Sequence, residues 1–333
     1  MKVYFEQDAD LSVLQQERIA VIGYGNQGRA QALNMRDQGL QVIVGTLQDA
    51  SWETAQADGF EVCSTAEAVS SGDVICLLVP DQVQAEVYHR DVAPNLGPGK
   101  MLDFAHGYNI HYGFIKPPAD VDVVMVAPRM IGVKVREIFQ AGSGAPAYVA
   151  VQQDATGRAK ARALALAKGI GATRAGAIEL SFAAETELDL FCEQFVWAAI
   201  TRTIITSFEF LVSQGYEPEI AVLELYASGE AGEVLHEMAH TGFFEQMHFH
   251  SNTSQYGTLS RGPSVLDDTI KEKMRAVLED LRLGTFAREW ELEGMTGYPV
   301  FSRLWSRALA HPMQQAETSL HALLGLGAKT PNA

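Results

Sequence analysis

The sequence predicts an N-terminal α/β domain of the Rossmann type, with a doubly wound and mostly parallel sheet, followed by an all-α C-terminal domain. Before Glu185, short apolar segments alternate with helical segments, which is typical of βαβ units that build a parallel sheet. After Glu185 the strand signals end and apolar residues recur at helical spacing. We place the boundary at residue 182, which gives domains of residues 1–182 and 183–333.

The composition narrows the class of protein. The chain has 333 residues, 47% hydrophobic and 20% charged, as expected for a globular protein with room for two domains. Its formal net charge of −16 argues against nucleic acid or an anionic membrane as a partner. Three scattered cysteines suit a reducing compartment. The N-terminus has no apolar segment of the signal-peptide kind, and we expect no segment long enough to span a bilayer. We therefore expect a cytoplasmic location.

A glycine-rich segment predicts a nucleotide site. Gly23, Gly25 and Gly28 form a GxGxxG pattern between the apolar run Arg18–Ile22 and a helical stretch. In this context the first glycine permits a tight turn, the second lets the backbone approach a pyrophosphate, and the third allows close helix–strand packing. The unpaired N–H groups at the start of the helix would face the phosphates. The alternative is a glycine turn without a ligand.

The loop after the next strand bears on the choice between NADH and NADPH. Residues 45–52 contain no Lys or Arg that could hold a 2′-phosphate. Asp49 would repel that phosphate or accept from a ribose hydroxyl, whereas Thr46, Gln48 and Ser51 could donate to it. Because a hydroxyl is a weaker phosphate anchor than a cation, the loop favours NADH and leaves NADPH open.

Polar residues follow further strands at the same predicted edge of the sheet. Asp81 follows the strand at residues 73–79, and His106 follows the strand that begins at Met101. A histidine on a glycine turn at this edge is a candidate acid–base or substrate contact, and the alternative is a hydrogen-bonded loop histidine. A strand at residues 121–126 leads to Arg129, and a strand at residues 172–175 closes the domain.

Two carboxylates in the middle of the chain are candidates for a metal site. Asp189 and Glu193 are four residues apart beside apolar residues, so a helix would place both on one face. Such a pair needs a proton or a cation between its members, and Mg²⁺ prefers oxygen ligands. Acidic residues also collect at helix starts because of the dipole, and we assign Glu185 and Glu187 to that effect.

The second half contains further acidic residues and a histidine pattern. Glu224 and Glu230 flank a short break between two helical segments and could supply oxygen ligands or simply lie on a solvated face. His236 to His240 forms an HExxH pattern, which on a helix would suit zinc. We disfavour zinc because a dinucleotide-binding domain is the wrong context for a zinc protease.

The motifs together resemble those of ketol-acid reductoisomerase in its short form. The segments that carry the resemblance are residues 2–12, 22–28, 104–111, 122–128, 189–194 and 251–257, in the family's order and spacing over nearly the whole chain. The resemblance implies a Rossmann domain and a helical domain that interlocks with a partner subunit in a homodimer or larger homo-oligomer. It also implies NADH or NADPH and two Mg²⁺ ions as cofactors.

The resemblance implies the reaction as well. Metal ions would polarise a 2-hydroxy-2-acyl acid, either 2-acetolactate or 2-aceto-2-hydroxybutyrate, so that an alkyl group migrates. A hydride from NAD(P)H would then give the 2,3-dihydroxy acid, in valine and isoleucine biosynthesis. Two alternatives remain: a 2-keto acid reductase on the same fold without isomerase activity, and a non-catalytic nucleotide-binding paralogue.

The resemblance assigns roles to individual residues. His106 and Arg129 would be catalytic, Ser251 would contact the substrate carboxylate, and the metal ligands would be Asp189, Glu193, Glu224 and Glu230. The predicted cofactor contacts, taken from the motif, the loop and the resemblance, are Gly23, Tyr24, Gly25, Asn26, Gln27, Gly28, Thr46, Asp49, Ser51, Asp81, Gln82, Val83, Gln84 and Gly132.

The chain departs from the family pattern at three places, one of which is the loop at residues 45–52, where the family's usual basic residue is missing. Arg129 stands where the family has a lysine, which keeps the charge but changes the shape of the donor. The family's second glutamate pair is four residues apart, and the position four after Glu224 is Ser228. A helix distortion near Ser228 would be needed to bring Glu224 and Glu230 to one metal.

Overall fold

The computed structural model describes residues 1–325 and divides into two compact units, Met1–Asp189 and Leu190–Ala333. The first unit contains the sheet and the second is helical. This confirms the predicted fold class, an α/β domain of the Rossmann type followed by an all-α domain.

The first unit is built on a nine-stranded sheet in the order β1-β9-β8-β7-β6-β5-β2-β3-β4. Its strands are β1 (Val3–Tyr4), β2 (Arg18–Ile22), β3 (Gln41–Gly45), β4 (Glu61–Cys63), β5 (Val74–Leu77), β6 (Met101–Phe104), β7 (Asp122–Pro128), β8 (Ala147–Gln153) and β9 (Ala177–Glu179). The pairs β1–β9 and β7–β8 are antiparallel and the other described pairs are parallel. The sheet is therefore mostly parallel, as predicted.

Helices cover both faces of this sheet. The helices of this part of the chain are α1 (Asn26–Asp37), α2 (Ala50–Ala57), α3 (Thr65–Ser71), α4 (Asp81–Val87), α5 (Tyr108–His111), α6 (Gly132–Gln140), α7 (Ala159–Gly169) and α8 (Phe182–Phe191). Within β2, Ile19 and Val21 join one apolar cluster, and Ala20 and Ile22 join another. Both faces of the strand are buried, which explains why the sequence shows continuous apolar runs instead of alternation.

The end of the first domain differs from the prediction in one element. Residues 172–175, predicted as a strand, form a 3₁₀ turn at Ala172–Arg174, after Gly171 with φ of 88°. The strand begins instead at Ala177, where it pairs with Ala147 of β8 and Tyr4 of β1. The turn reverses the chain at the end of α7, so the strand starts later than its composition suggested.

The second unit is a set of helices with a small core of its own. They are α9 (Ala198–Ser213), α10 (Pro218–Val222), α11 (Glu230–His240), α12 (Asn252–Val265), α13 (Ile270–Leu283), α14 (Thr285–Met295), α15 (Pro299–Leu309) and α16 (Pro312–Leu324). The core includes Phe208, Val222 and Leu320. Two π-helical segments, Cys192–Trp197 and Leu223–Ala227, interrupt the regular helices.

One helix, Phe182–Ser213, is long and apolar enough to cross a membrane by length and composition. The expectation that no segment reaches this length is therefore wrong. Only 6% of its most apolar stretch is buried, and a single helix of this kind is weak evidence for a membrane protein.

Candidate functional site

A cavity of 740 Å³ lies where β2, β3 and β5 end. Its lining includes these predicted cofactor contacts: Gly23, Tyr24, Gly25, Asn26, Gln27, Thr46, Asp49, Ser51, Asp81, Val83 and Gln84. His106 lines the cavity too. The carboxyl ends of parallel strands are the usual place for a dinucleotide in this architecture.

The glycines of the motif fit a pyrophosphate. Gly23 has φ of 93°, a left-handed conformation that favours glycine. A Cβ at Gly25 would meet nothing within 4 Å, so this backbone borders open space, whereas a Cβ at Gly28 would lie 2.0 Å from the Gly23 carbonyl oxygen. Helix α1 begins at Asn26 without a side-chain cap, which leaves its first N–H groups available to an anion.

Three predicted cofactor contacts are not among the residues that line the cavity: Gly28, Gln82 and Gly132. A Cβ at Gly132 would lie 2.0 Å from the backbone oxygen of Asn26. The first turn of α6 therefore packs directly on the glycine-rich loop. In this structure Gly132 supports that loop instead of facing the cavity.

The loop after β3 is acidic and has a helix cap of its own. Asp49 is the N-cap of α2, and its Oδ1 accepts a 2.8 Å hydrogen bond from the backbone N–H of Ser51. Arg90 also lines the cavity, and its guanidinium pairs with Glu86 at 2.9 Å and with Asp91 at 2.8 Å. The Asp49 carboxylate therefore caps the start of α2, and the carboxylates of Glu86 and Asp91 neutralise the guanidinium of Arg90.

His106, Arg129, Glu185 and Asp189 form a cluster within the first unit. Arg129 donates to Glu185 Oε1 at 3.2 Å and also to Asp189 Oδ1. Its guanidinium stacks over the ring of Tyr148 at 5.1 Å. His106 Nε2 lies 3.5 Å from Asp189 Oδ2 and 4.0 Å from Glu185 Oε2.

Burial and charge shift the pKa values of this cluster. Burial disfavours the charged form of His106, but the hydrogen bond and charge of Asp81, together with Glu185 and Asp189, outweigh it and raise the pKa of His106 to about 9. Burial raises the pKa of Glu185. The charges of His106 and Arg129 and the backbone N–H of Gly107 stabilise its carboxylate and oppose this effect in part. The cluster thus places two basic side chains, His106 and Arg129, against two acidic side chains, Glu185 and Asp189.

Glu185 belongs to this cluster, and the sequence analysis did not include it among the candidate site residues. It does lie in the first turn of α8, as the helix-dipole interpretation expects, but its side chain is also fully buried and accepts hydrogen bonds from Gly107 N–H and Arg129. The signal was present in the sequence: Glu185 precedes Asp189 by four residues, the same spacing as Asp189 to Glu193. A helix places such residues on one face.

The cluster can hold a cation. His106, Glu185 and Asp189 offer ligand atoms that all lie within 4.8 Å of one another. His106 Nε2 is buried and has no hydrogen-bond partner in the described part of the chain. Carboxylate oxygens are the ligands that Mg²⁺ prefers, so the donor set at Asp189 and Glu185 fits such an ion.

The second unit carries the other predicted ligands at irregular positions. Glu193 and Glu224 each lie in one of the two π-helical segments, a feature frequent at functional sites. Gly229, with φ of 87°, separates Glu224 from Glu230, the first residue of α11. Ser251 is the N-cap of α12, and its hydroxyl oxygen accepts from Ser254 N–H at 3.3 Å.

The HExxH pattern does not form a metal cluster among residues 1–325. The rings of His236 and His240 lie 4.2 Å apart, and His240 Nδ1 is 2.8 Å from the backbone oxygen of His236. The one group of three metal-ligating side chains in the described residues is His106, Glu185 and Asp189. The histidine pair is therefore better explained as two neighbouring rings, tilted by 37°, on α11.

Comparison with known proteins identifies the family. Residues 13–176 match the family described as acetohydroxy acid isomeroreductase, NADPH-binding domain, and residues 182–325 match ketol-acid reductoisomerase, C-terminal domain. The ketol-acid reductoisomerase (NADP(+)) of Petrotoga mobilis is 46% identical over 97% of this chain and 98% of its own. That of Pyrobaculum calidifontis is 48% identical over 97% and 98%.

A solved structure agrees with these relatives. An NADH-preferring ketol-acid reductoisomerase from an uncultured archean superposes with a TM-score of 0.93 at 36% identity, covering 99% of this chain and 100% of the other. The likeness extends over both the nucleotide-binding and the helical unit. With the motif, the cavity and the carboxylate cluster in place, the chain belongs to the ketol-acid reductoisomerase family of NAD(P)H-dependent oxidoreductases.

Proposed function

We propose that the chain converts 2-acetolactate or 2-aceto-2-hydroxybutyrate into the 2,3-dihydroxy acid, in valine and isoleucine biosynthesis. The observation that carries this proposal is the full-length family match together with a cluster of His106, Glu185 and Asp189 in which His106 also lines the dinucleotide cavity. One histidine thus borders both the cofactor cavity and the carboxylates. Reduction and metal-assisted rearrangement need that proximity.

We propose Asp189 and Glu193 as Mg²⁺ ligands, with Glu224 and Glu230 completing a two-ion site. The bound ions would supply Lewis acidity that polarises the substrate carbonyl and hydroxyl for alkyl migration. Asp189 and Glu193 are four residues apart, and this spacing supports them as a pair of ligands. The π-helical segment at Leu223–Ala227 is a helix distortion of the kind that the six-residue spacing of Glu224 and Glu230 requires.

The protein's own groups would bind the substrate and handle its protons. His106 Nε2 faces the two carboxylates and can hold or release a proton there. Arg129 supplies a fixed positive charge next to Asp189. The hydroxyl oxygen of Ser251 already accepts from Ser254, so its O–H remains available to donate to the substrate carboxylate.

We propose that NADH is the preferred cofactor. A 2′-phosphate would have to displace or approach the Asp49 carboxylate, which already takes the Ser51 N–H that the phosphate could use. The nearby Arg90 is neutralised by two carboxylates. The negative charge of Asp49, with no unpaired arginine among the described residues of the cavity to offset it, disfavours the extra phosphate of NADPH. The ratio of kcat/KM values for the two cofactors tests this choice.

We further propose a cytoplasmic homo-oligomer of at least two chains. The helical unit exposes large apolar side chains, including Trp197 at 52%, Phe244 at 67% and Tyr256 at 69%. Exposed apolar surface of this extent usually marks an interface. Sedimentation velocity at micromolar concentration would show a dimer or larger species, and a monomer would contradict the proposal.

The assay that tests the function follows NADH and NADPH oxidation with 2-acetolactate and Mg²⁺. We expect turnover that requires Mg²⁺ and stops with a chelator; no turnover with either cofactor would overturn the proposal. Arg129 and Ser228 favour one alternative, a reductase without isomerase activity. Turnover of a 3-hydroxy-2-keto acid, with none of 2-acetolactate, would select that alternative.

A further inference from the structure

Asp81 and His106, which both line the cofactor cavity, form a short polar contact beside the carboxylate cluster. Asp81 is the first residue of α4, directly after β5, and His106 follows β6, the strand that pairs with β5. Asp81 Oδ2 lies 2.6 Å from His106 Nδ1. The contact therefore links the carboxyl ends of two adjacent strands, β5 and β6.

The surrounding amides fix the position of Asp81. Asn109 donates from Nδ2 to the Asp81 backbone oxygen at 3.0 Å and to Gln84 Oε1 at 3.1 Å. Gln84 donates in turn to the backbone oxygens of Leu77 at 3.1 Å and Val79 at 3.3 Å. Asn109 and Gln84 are both buried, so the first turn of α4 is held against the end of β5 and against the segment that carries His106.

The ring of His106 is held from its face as well. It stacks on Tyr108, with ring centroids 5.9 Å apart and planes at 28°. A carboxylate can only accept hydrogen bonds, so the Asp81 contact requires a proton on His106 Nδ1. With the ring fixed on one side by Asp81, Nε2 is the nitrogen that faces Glu185 and Asp189.

We propose that Asp81 is a positioning residue, which orients the His106 ring through Nδ1 so that Nε2 faces the Glu185 and Asp189 carboxylates. This assigns Asp81 a role beyond contact with the dinucleotide, and it rests on the proposed function for the part that His106 plays in turnover. The logic is that of a metal-binding histidine whose second nitrogen is fixed by a carboxylate partner, where loss of the partner typically costs about 10–100-fold in metal affinity or activity.

The first test detects the orientation of the His106 ring without measuring enzyme activity. Proton NMR of the full-length protein would show a downfield Nδ1 proton for His106, assigned by its absence in His106→Gln. We expect Asp81→Ala to lose that signal, Asp81→Glu to retain part of it, and Glu137→Gln, a surface change on α6, to leave it intact. A signal unchanged in Asp81→Ala would overturn the proposal.

The second test separates positioning from cofactor contact. We expect Asp81→Ala to lower kcat by about 10–100-fold, with the KM for NADH changed less than threefold, and Asp81→Glu to recover part of kcat. A raised KM for NADH at unchanged kcat would show a cofactor contact only and overturn the proposal. Wild-type protein that shows the Nδ1 signal but no turnover would instead contradict the proposed function and leave the positioning role standing.

Discussion

Glu185 Oε2 accepts a 2.8 Å hydrogen bond from the backbone N–H of Gly107. Gly107 follows His106, and Glu185 lies on α8, the helix that carries Asp189. The other oxygen of Glu185 accepts from Arg129. The buried carboxylate of Glu185 therefore connects α8 to Arg129 and to the segment that carries His106. Its removal or displacement should disturb the positions of all three.

The close approach of Gly107 to α8 predicts that Gly107→Ala damages the site. A Cβ at this position would lie 2.5 Å from Thr186 Oγ1 and 2.8 Å from the backbone oxygen of Phe182. Because backbone atoms must move to accommodate it, we expect a loss of about 1–3 kcal/mol in the free energy of unfolding and a lower kcat. Urea unfolding and steady-state kinetics measure the two effects.

Gly97→Ala is the matched control for this substitution. A Cβ there would meet only the side chain of Lys100, at 3.6 Å, an ordinary contact. We expect its unfolding free energy to stay within about 0.5 kcal/mol of wild type. If both variants behaved alike, the tight packing of Gly107 against α8 would have no energetic significance.

The pairing of Arg129 with Asp189 predicts opposite effects on metal affinity and turnover. The guanidinium and a bound Mg²⁺ draw on the same carboxylate, so Arg129→Gln removes a competing charge. We expect tighter Mg²⁺ binding, by about five- to tenfold for a partly exposed ion pair worth on the order of 1 kcal/mol. Turnover of 2-acetolactate should nevertheless fall, because the fixed positive charge beside the substrate is lost.

Isothermal titration calorimetry with Mg²⁺ and the NADH assay check the two halves of this prediction. Arg136→Gln is a suitable control, since Arg136 pairs with Asp37 at 2.6 Å on helices that carry none of the proposed metal ligands. Weaker Mg²⁺ binding in Arg129→Gln would mean that the arginine assembles the carboxylates instead of competing for one of them.

The sequence could predict the features that depend on local pattern. Continuous apolar runs such as Arg18–Ile22 specify buried strands, and the spacing of Gly23, Gly25 and Gly28 specifies a strand–turn–helix. Gly132 is among the predicted cofactor contacts, yet in the structure it packs against the backbone of Asn26. The packing of α6 on that loop is a tertiary contact that no local pattern contains.

The features missed depend on partners that are distant in the chain. The bond of Glu185 to Gly107 spans 78 residues, and that of Asp81 to His106 spans 25. Without those partners, Glu185 looks like any acidic residue in a first helical turn. The π-helical segments around Glu193 and Glu224 were equally hidden, because one extra residue in a helical turn leaves little trace in apolar periodicity.

The capping of α2 by Asp49 predicts how cofactor preference can be changed. Asp49→Ser keeps a side-chain oxygen for the Ser51 N–H but removes the negative charge near the ribose. A like charge beside a 2′-phosphate costs on the order of 1–2 kcal/mol, so we expect kcat/KM for NADPH to rise about tenfold. The value for NADH should change by less than the value for NADPH.

Asp10→Ser is the matched control, because Asp10 caps a 3₁₀ turn by accepting from Ser12 N–H at 2.9 Å and is not among the residues that line the cavity. It should leave the ratio of NADPH to NADH efficiency unchanged. An unchanged ratio in Asp49→Ser would show that Asp49 does not set the preference.

A buried acid in the sheet predicts a pH dependence of stability. Asp103 lies on β6, paired with Cys76 of β5, and is fully buried. Neither of its carboxyl oxygens makes a well-formed hydrogen bond within the described residues, although the Cys76 thiol and the backbone amides of Phe104 and Val126 lie near them. Burial raises the pKa of Asp103 well above its ordinary value, with only partial opposition from the Cys76 thiol and nearby backbone amides. Burial therefore favours the neutral form of this acid in the folded protein.

The sign of the effect follows from proton counting. Between the unfolded pKa of Asp, near 3.9, and the raised folded pKa, the folded state binds the extra proton, so stability falls as pH rises, by up to about 1.4 kcal/mol per pH unit. Asp103→Asn mimics the neutral acid and removes this dependence. We expect urea unfolding to show a wild-type free energy that declines, relative to Asp103→Asn, as the pH rises from about 5 toward the raised folded pKa. Parallel curves for the two proteins across that range would mean that Asp103 ionises as easily in the folded state as in the unfolded chain.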